Sequence, residues 1–368
     1  MSVYLDYNAT APIQPEVMVA IQGALAIGGN PSSVHAAGRL ARTVVETARV
    51  EVGRLVGASP ASVTFTSGGT EANALAIMSA VADGFGRIIV GATEHDAVRA
   101  CAEASGAEVI IWPVDARGVT DLDWLADELT RAKPLVCLMS ANNETGVIQP
   151  VEAAARLVRD AGGWLHVDAV QSAGKQVIDF ATLGADTMAL SAHKLGGPQG
   201  VGALIAGPRA ILHRQLHGGG QERGLRSGTE NVAGIAGFGA AAKVSSPIDQ
   251  SAWRDSLAAT LASRGAVVLG DGADRLHQTL CFATPGFPAE LQIMALDLAG
   301  VMISAGAACS SGKMKPSAVV AAMGRPDLAA CAIRVSGGWA TKQSDWVRCG
   351  EAWIEAFERR SVRTREYA

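Results

Sequence analysis

At 368 residues, 49% of them hydrophobic, the chain has material for a large core, and its length suggests two domains. A formal net charge of −4 and the lack of any long Lys/Arg block exclude a phosphate-backbone binder, so no nucleic acid is expected as a partner. The start Met1-Ser2-Val3-Tyr4-Leu5-Asp6-Tyr7 lacks the basic-then-apolar order of a signal peptide and no apolar run would span a bilayer, so a cytoplasmic protein without a membrane partner is expected.

A short strand and turn over 4–12 lead to a helix from about Pro15, and 28–35 has the composition of a loop. A helix is expected from about Ala37 to Val56, with Arg39, Arg42 and Arg49 on its polar side. The β-branched strand 62–66 breaks at Ser67-Gly68-Gly69-Thr70, and Leu75, Met78 and Ala82 then repeat at helical spacing. Strand, glycine turn, hydroxyl and helix start together make an anion site, because bare N–H groups and the helix dipole point outward there.

Strands follow at 87–90, 108–111 and 135–139, with Glu94-His95 opening a helix after the first and Asn142-Asn143-Glu144 ending the last. The apolar strand Trp164-Leu165-His166-Val167-Asp168 closes on an aspartate, and the run Thr187-Met188-Ala189-Leu190 delivers Ser191-Ala192-His193-Lys194 before a glycine turn. Continuous apolar strands alternating with helices predict a mostly parallel sheet covered on both faces, with ligands at the carboxyl ends of the strands. That rule gathers Thr70, His95, Asn143, Asp168, His193 and Lys194 on one edge.

A lysine at the end of a buried strand is hard to solvate as an ammonium, and a neutral amine forms a Schiff base with an aldehyde. The alternative is a surface lysine in a Gly-Pro turn. Asp168 favours the first reading, since a pyridoxal phosphate enzyme needs a carboxylate against the ring nitrogen and a lysine for the aldehyde. Beyond this lie a decorated glycine-rich run over 217–231, an Ala/Gly-rich helix and a composition shift near Ser245-Ser246-Pro247. Strands near 266–270, 279–284 and 332–336, helices near 288–299, after Pro316 and from Thr341 or Ser344, and the small-residue loop around Cys309 complete the chain. The division expected is an N-terminal segment 1–15 packing on the small domain, a large cofactor-binding domain 16–245 and a small domain 246–368. The cysteines, Cys101, Cys137, Cys281, Cys309, Cys331 and Cys349, are scattered without CxxC or close histidines, so neither a metal site nor a disulfide framework is indicated.

Tyr4-Leu5-Asp6, Phe65-Thr66-Ser67-Gly68-Gly69-Thr70-Glu71-Ala72-Asn73, Glu94-His95, Asn142-Asn143-Glu144, His166-Val167-Asp168-Ala169-Val170-Gln171-Ser172, the Lys194 stretch, the triple glycine, the Cys309 loop and Arg334 stand in fixed order over nearly the whole length. On these the chain resembles the cysteine desulfurases of the NifS/IscS type, class-V aminotransferases of the fold type I group. The resemblance implies an α/β fold, with a mostly parallel sheet carrying helices on both faces plus a smaller α+β C-terminal domain. It implies pyridoxal 5'-phosphate on Lys194, which would also move the substrate's α-proton, with Asp168 at the ring nitrogen, Gln171 at the ring hydroxyl and His95 stacked on the ring as a catalytic proton shuttle. Gly69, Thr70, Ser191 and His193 would hold the phosphate with Thr229 of a second subunit, hence a homodimer. Asn143 and Arg334 would meet the substrate carboxylate or the cofactor side.

Cys309 would take sulfur from L-cysteine as a persulfide, release L-alanine and supply a sulfur-acceptor or scaffold protein, for iron–sulfur clusters or other thio-cofactors. A cluster ligated in passing by that persulfide is the sole metal contact implied. Ala305, Ala307 and Gln199 depart from the family's usual residues. A selenocysteine lyase or a small-amino-acid aminotransferase would not need Cys309. A non-catalytic sulfur-relay protein would be expected to lack Lys194 or Asp168.

Overall fold

The computed structural model describes residues 2–131, 133–305 and 315–366, with side chains as far as 360. The elements run β1 (Val3–Tyr4), α1 (Pro15–Ile27), α2 (Ala36–Leu55), β2 (Val63–Thr66), α3 (Gly69–Ala82), β3 (Arg87–Gly91), α4 (Asp96–Ala104), β4 (Glu108–Trp112) and α5 (Leu122–Glu128). Next come β5 (Leu135–Met139), α6 (Val151–Asp160), β6 (Trp164–Asp168), α7 (Phe180–Leu183), β7 (Thr187–Ser191), β8 (Gly202–Ala206) and α8 (Val232–Val244). The remainder is α9 (Ser251–Ala262), β9 (Val267–Leu269), β10 (Thr279–Ala283), α10 (Ala289–Leu298), β11 (Val301–Met302), α11 (Ala318–Ala322), β12 (Ala332–Ser336) and α12 (Gln343–Glu366).

Seven strands form the main sheet in the order β2-β8-β7-β6-β5-β3-β4. β8 alone runs against its neighbours, antiparallel to both β2 and β7. The segment from Ala192 to Val201 is too short for the crossover that a parallel return demands, so the chain doubles back as a hairpin whose connection carries Lys194. The other six strands are parallel and present their carboxyl ends on one edge.

The strands read as continuous apolar runs because both faces are covered. Ile89, Val136, Leu138, Leu165, Val167, Met188 and Leu190 face one way, into a core with Val45 and Val52 of α2, Val158 of α6 and Phe238 of α8. Ile88, Val90, Leu135, Cys137 and Trp164 face the other, against Ile77 and Ala80 of α3 and Val98 and Ala102 of α4. The Ala/Gly composition of α8 permits its close approach to α2, since a Cβ on Gly239 would lie 2.6 Å from Ala48 Cα.

A second, antiparallel sheet has the order β12-β10-β9. Leu280, Phe282, Ile333 and Val335 pack on one of its faces against Trp346 and Trp353 of α12. The Trp353 and Phe357 rings stack at 5.0 Å. β1 pairs in parallel with β11, and Asp6 bridges to Ser336, so the N-terminal segment lies beside this sheet. Cys137, Cys281, Cys331 and Cys349 are buried and Cys101 is half-buried, whereas Cys309 and its glycine-flanked loop lie outside the described residues.

One expectation fails. Arg49 lies at the end of α2 that the 217–229 segment covers, and it is buried rather than on the polar side. Its guanidinium grips both oxygens of Glu222 at 2.7 and 2.8 Å and lies 4.8 Å from the centre of the Phe65 ring. Among the described residues no helix is long and apolar enough to cross a membrane, and no group of three His, Cys, Asp or Glu could hold a metal ion.

Candidate active site

The carboxyl edge of the main sheet opens into a cavity of about 640 Å³. Gly69, Thr70, His95, Asn143, Asp168, Gln171, Ser191, His193, Lys194 and Arg334 all line it. Three parts of the chain meet there, for Asn8 comes from the N-terminal segment and Arg334 from β12 of the second sheet. Thr229 lies elsewhere, exposed in the segment before α8.

Lys194 sits in a short turn after β7, and its Nζ donates to the carbonyls of Asn8 at 2.5 Å and Ala9 at 2.7 Å. Burial brings the ammonium down to about 8, with the Arg334 charge acting in the same direction. An amine so placed is available in its neutral form at far lower pH than a surface lysine.

Asp168, the last residue of β6, is 7% exposed. Its Oδ1 accepts from Val170 N–H at 2.9 Å and its Oδ2 from Asn73 Nδ2 at 2.8 Å. Asn73 Oδ1 in turn meets His166 Nε2 at 2.9 Å, while His166 Nδ1 lies 2.9 Å from Thr187 Oγ1. His166 is fully buried, which lowers it to about 3 and keeps it neutral. Since Asn73 offers it an oxygen, the imidazole proton sits on Nε2 and Thr187 donates to Nδ1. Thr187 Oγ1 accepts from Trp164 Nε1 at 3.1 Å. The hydrogens thus run one way, from Trp164 through Thr187, His166 and Asn73, and end on the Asp168 carboxylate, which acts as acceptor only.

Gly68 is extended (φ 162°) and α3 begins at Gly69, so the first N–H groups of a fourteen-residue helix face the cavity. A Cβ on Gly69 would fall 2.7 Å from Val170 Cγ2, leaving space only for backbone at that point. Ser191, 4% exposed, and His193 stand opposite. Burial and the Lys194 charge hold His193 at about 4, so it presents a neutral ring, with Nδ1 3.2 Å from Thr10 Oγ1. The acidic residue of this first turn, Glu71, is engaged by Arg226 at 2.8 Å and by Ser67 N–H at 2.7 Å, which keeps its charge off the helix start.

His95 caps α4, its Nδ1 accepting from Ala97 N–H at 3.0 Å, and its ring remains exposed to the cavity. Arg334, 3% exposed, donates to Asp6 at 2.7 Å and to the Asn143 carbonyl at 2.9 Å. The donor set fits pyridoxal phosphate: an amine of lowered affinity for protons, a carboxylate fixed as acceptor, an exposed aromatic ring and a helix N-terminus for the phosphate.

Asn73, Asn8 and Lys175 touch these residues although the motifs assigned them no part. Asn73 was detectable as a polar residue four positions after Gly69 on an otherwise apolar helical face, next to Ala72, Leu75 and Ala76. Asn8 carried no such signal, because its role comes from contacts with residues far along the chain.

The sequence profile of the family described as Aminotransferase class-V matches residues 3–347. A cysteine desulfurase of Cereibacter sphaeroides is 43% identical over 354 residues, 92% of either chain. Cysteine desulfurase IscS of Dictyoglomus turgidum is 38% identical, over 93% of this chain and 91% of its own. In fold, a NifS-like protein of Rickettsia africae superposes with a TM-score of 0.90 at 31% identity, covering 97% of this chain and 100% of its own.

Proposed function

The chain belongs to the class-V aminotransferase family, and from that premise we propose that it is a pyridoxal phosphate-dependent cysteine desulfurase, converting L-cysteine to L-alanine and transferring the sulfur to Cys309. The observation that carries this reading is one cavity wall on which Lys194 and Asp168 stand beside the N-terminus of α3.

Pyridoxal phosphate, when bound, supplies the electron sink that stabilises negative charge at the substrate's α-carbon. Lys194 would hold the aldehyde, and its neutral amine would take the substrate's α-proton. Asp168, its two oxygens fixed by Asn73 and Val170, would face the ring nitrogen and keep it protonated. Gly69, Thr70, Ser191 and His193 would hold the phosphate, His95 would cover the ring and shuttle protons, Gln171 would meet the ring hydroxyl, and Asn143 and Arg334 would orient the substrate carboxylate. The Cys309 thiolate attacks the substrate sulfur; an S–S bond forms, the C–S bond breaks with its electron pair left on carbon, and protonation there gives the methyl of alanine.

The proposal extends to a homodimer in which Thr229 reaches the phosphate of the other subunit, and to delivery of the persulfide to an acceptor or scaffold protein for iron–sulfur clusters. It includes a cytoplasmic location and a division into an N-terminal segment 1–15, a large domain 16–245 and a small domain 246–368. Mass spectrometry after incubation with L-cysteine tests the reading. One added sulfur on Cys309 with matching alanine is expected, and Cys309→Ala should release no alanine. Undiminished alanine release by that variant, or borohydride reduction that fixes no pyridoxyl group on Lys194, overturns it.

A further inference from the structure

Lys175 is a second lysine beside the cavity that the reaction above does not use. It follows Gly174, whose φ of +71° turns the chain so tightly that a Cβ there would lie 2.6 Å from Leu195 Cδ2. The turn therefore packs directly on the Lys194 segment. Lys175 does not line the large cavity; it lines a smaller one of about 250 Å³, with Lys194 in the wall common to both. Its Nζ lies 2.9 Å from Gln171 Oε1 and 3.4 Å from Asn8 Oδ1. Burial first, then the charges of Lys194 and Arg334, holds the ammonium well below the ordinary lysine range.

A lysine head group donates whether it carries two hydrogens or three, and Lys175 directs one at the amide oxygen of Gln171. That settles which way the Gln171 amide points. Its oxygen is taken by Lys175, and its Nε2 lies on the other side, 2.9 Å from the Asn8 carbonyl. The far end agrees independently, because a backbone carbonyl accepts only. That same carbonyl receives Lys194 Nζ at 2.5 Å, so the Gln171 NH2 group is placed at the attachment point of the aldehyde. One of its two hydrogens reaches Asn8, and the second is left for an occupant of the cavity. Gln171 is 6% exposed and Asn8 1%, so solvent has little part in holding the amide.

We propose that Lys175 is a positioning residue that locks the Gln171 amide with its oxygen turned outward and its NH2 turned into the cavity, so that Gln171 meets bound pyridoxal phosphate as a hydrogen-bond donor. Without Lys175 the Asn8 carbonyl alone holds the amide, and each turnover would oppose an oxygen to the oxygen of the cofactor. The inference rests on the cavity being a pyridoxal phosphate site. It assigns Lys175 no bond to the cofactor.

The test uses purified apo-protein titrated with pyridoxal phosphate, followed by the pH dependence of the visible absorption of the bound cofactor. Lys175→Met should weaken cofactor binding about tenfold, the size of one lost hydrogen bond, and move the absorption midpoint upward in pH. In a Gln171→Leu background the same substitution should change neither quantity. Gln171→Glu keeps an oxygen for Lys175 but has no NH2, and it should bind as weakly as Gln171→Leu even if Lys175→Met fails to fold. Additive effects of Lys175→Met and Gln171→Leu, wild-type binding by Gln171→Glu, or a pyridoxyl group found on Lys175 after borohydride reduction would each overturn the assignment. Failure of the wild-type protein to bind pyridoxal phosphate would instead overturn the reading of the cavity.

Discussion

Lys194 illustrates how position turns an ordinary side chain into a reagent. Its nitrogen has two backbone carbonyls for company, and the charge of the Arg334 guanidinium adds to the effect of burial. Ionisation near 8 rather than at the ordinary 10.5 means that a useful fraction is neutral at neutral pH. Attachment of pyridoxal phosphate to the apo-protein should therefore speed up with pH and level off above about 8, because only the unprotonated amine attacks. Arg334→Met removes a repelling charge, so the midpoint should move to higher pH. Stopped-flow absorbance over a pH series measures both. A wild-type midpoint near that of free lysine, or an acid shift in the variant, would contradict the electrostatic account.

At the scale of elements, the glycine-rich segment between β8 and α8 is fixed to the main sheet by one buried ion pair. Glu222 and Arg223 both have left-handed backbone (φ 44° and 58°), an arrangement that costs energy for residues with a Cβ. What holds them is the bidentate Arg49–Glu222 pair, the Phe65 N–H bond to Glu222 at 2.9 Å and the Arg223 bonds to the Ala61 and Val63 carbonyls. Arg49→Met leaves a buried carboxylate without its ion-pair partner and should cost about 3–5 kcal/mol in urea unfolding, whereas Glu222→Gln should cost less, because Arg49 keeps the half-exposed Glu46 at 3.2 Å and the Val63 carbonyl at 2.9 Å. The double variant removes both charges and should be destabilised less than the sum of the two. Strict additivity would show that the pair is not the fastening. This contact was illegible in the sequence, since Arg39, Arg42 and Arg49 look alike along α2 and only the distant 217–229 segment distinguishes the last.

Across the whole molecule, the main sheet was legible because both of its faces are apolar, and the strands announced themselves as apolar runs leading to Thr70, His95, Asn143, Asp168 and Lys194. The chain of donors behind Asp168 was not, because His166 and Trp164 read as ordinary members of an apolar strand and their partner Asn73 lies on another element. Burying such groups inside one sheet ties global stability to pH. His166 ionises at about 3 when folded against 6.5 ordinarily, so the unfolded chain binds a proton that the folded one refuses; stability is full above 6.5 and falls as pH drops toward 3. Glu94, 7% exposed and bonded through Oε1 to Met139 N–H, has the opposite sign. Burial and the neighbouring Asp168 charge raise it well above 4.5, so the folded chain keeps a proton that the unfolded one sheds, and stability declines as pH rises from 4.5 toward the folded value. Melting temperatures of apo-protein, in which no cofactor shifts the equilibrium, should separate the two limbs. Relative to wild type, Glu94→Gln should gain stability as pH rises above 4.5, while the deficit of His166→Gln should shrink as pH falls below 6.5. Variant and wild-type curves that stay parallel throughout would mean that neither buried group changes its proton occupancy on folding.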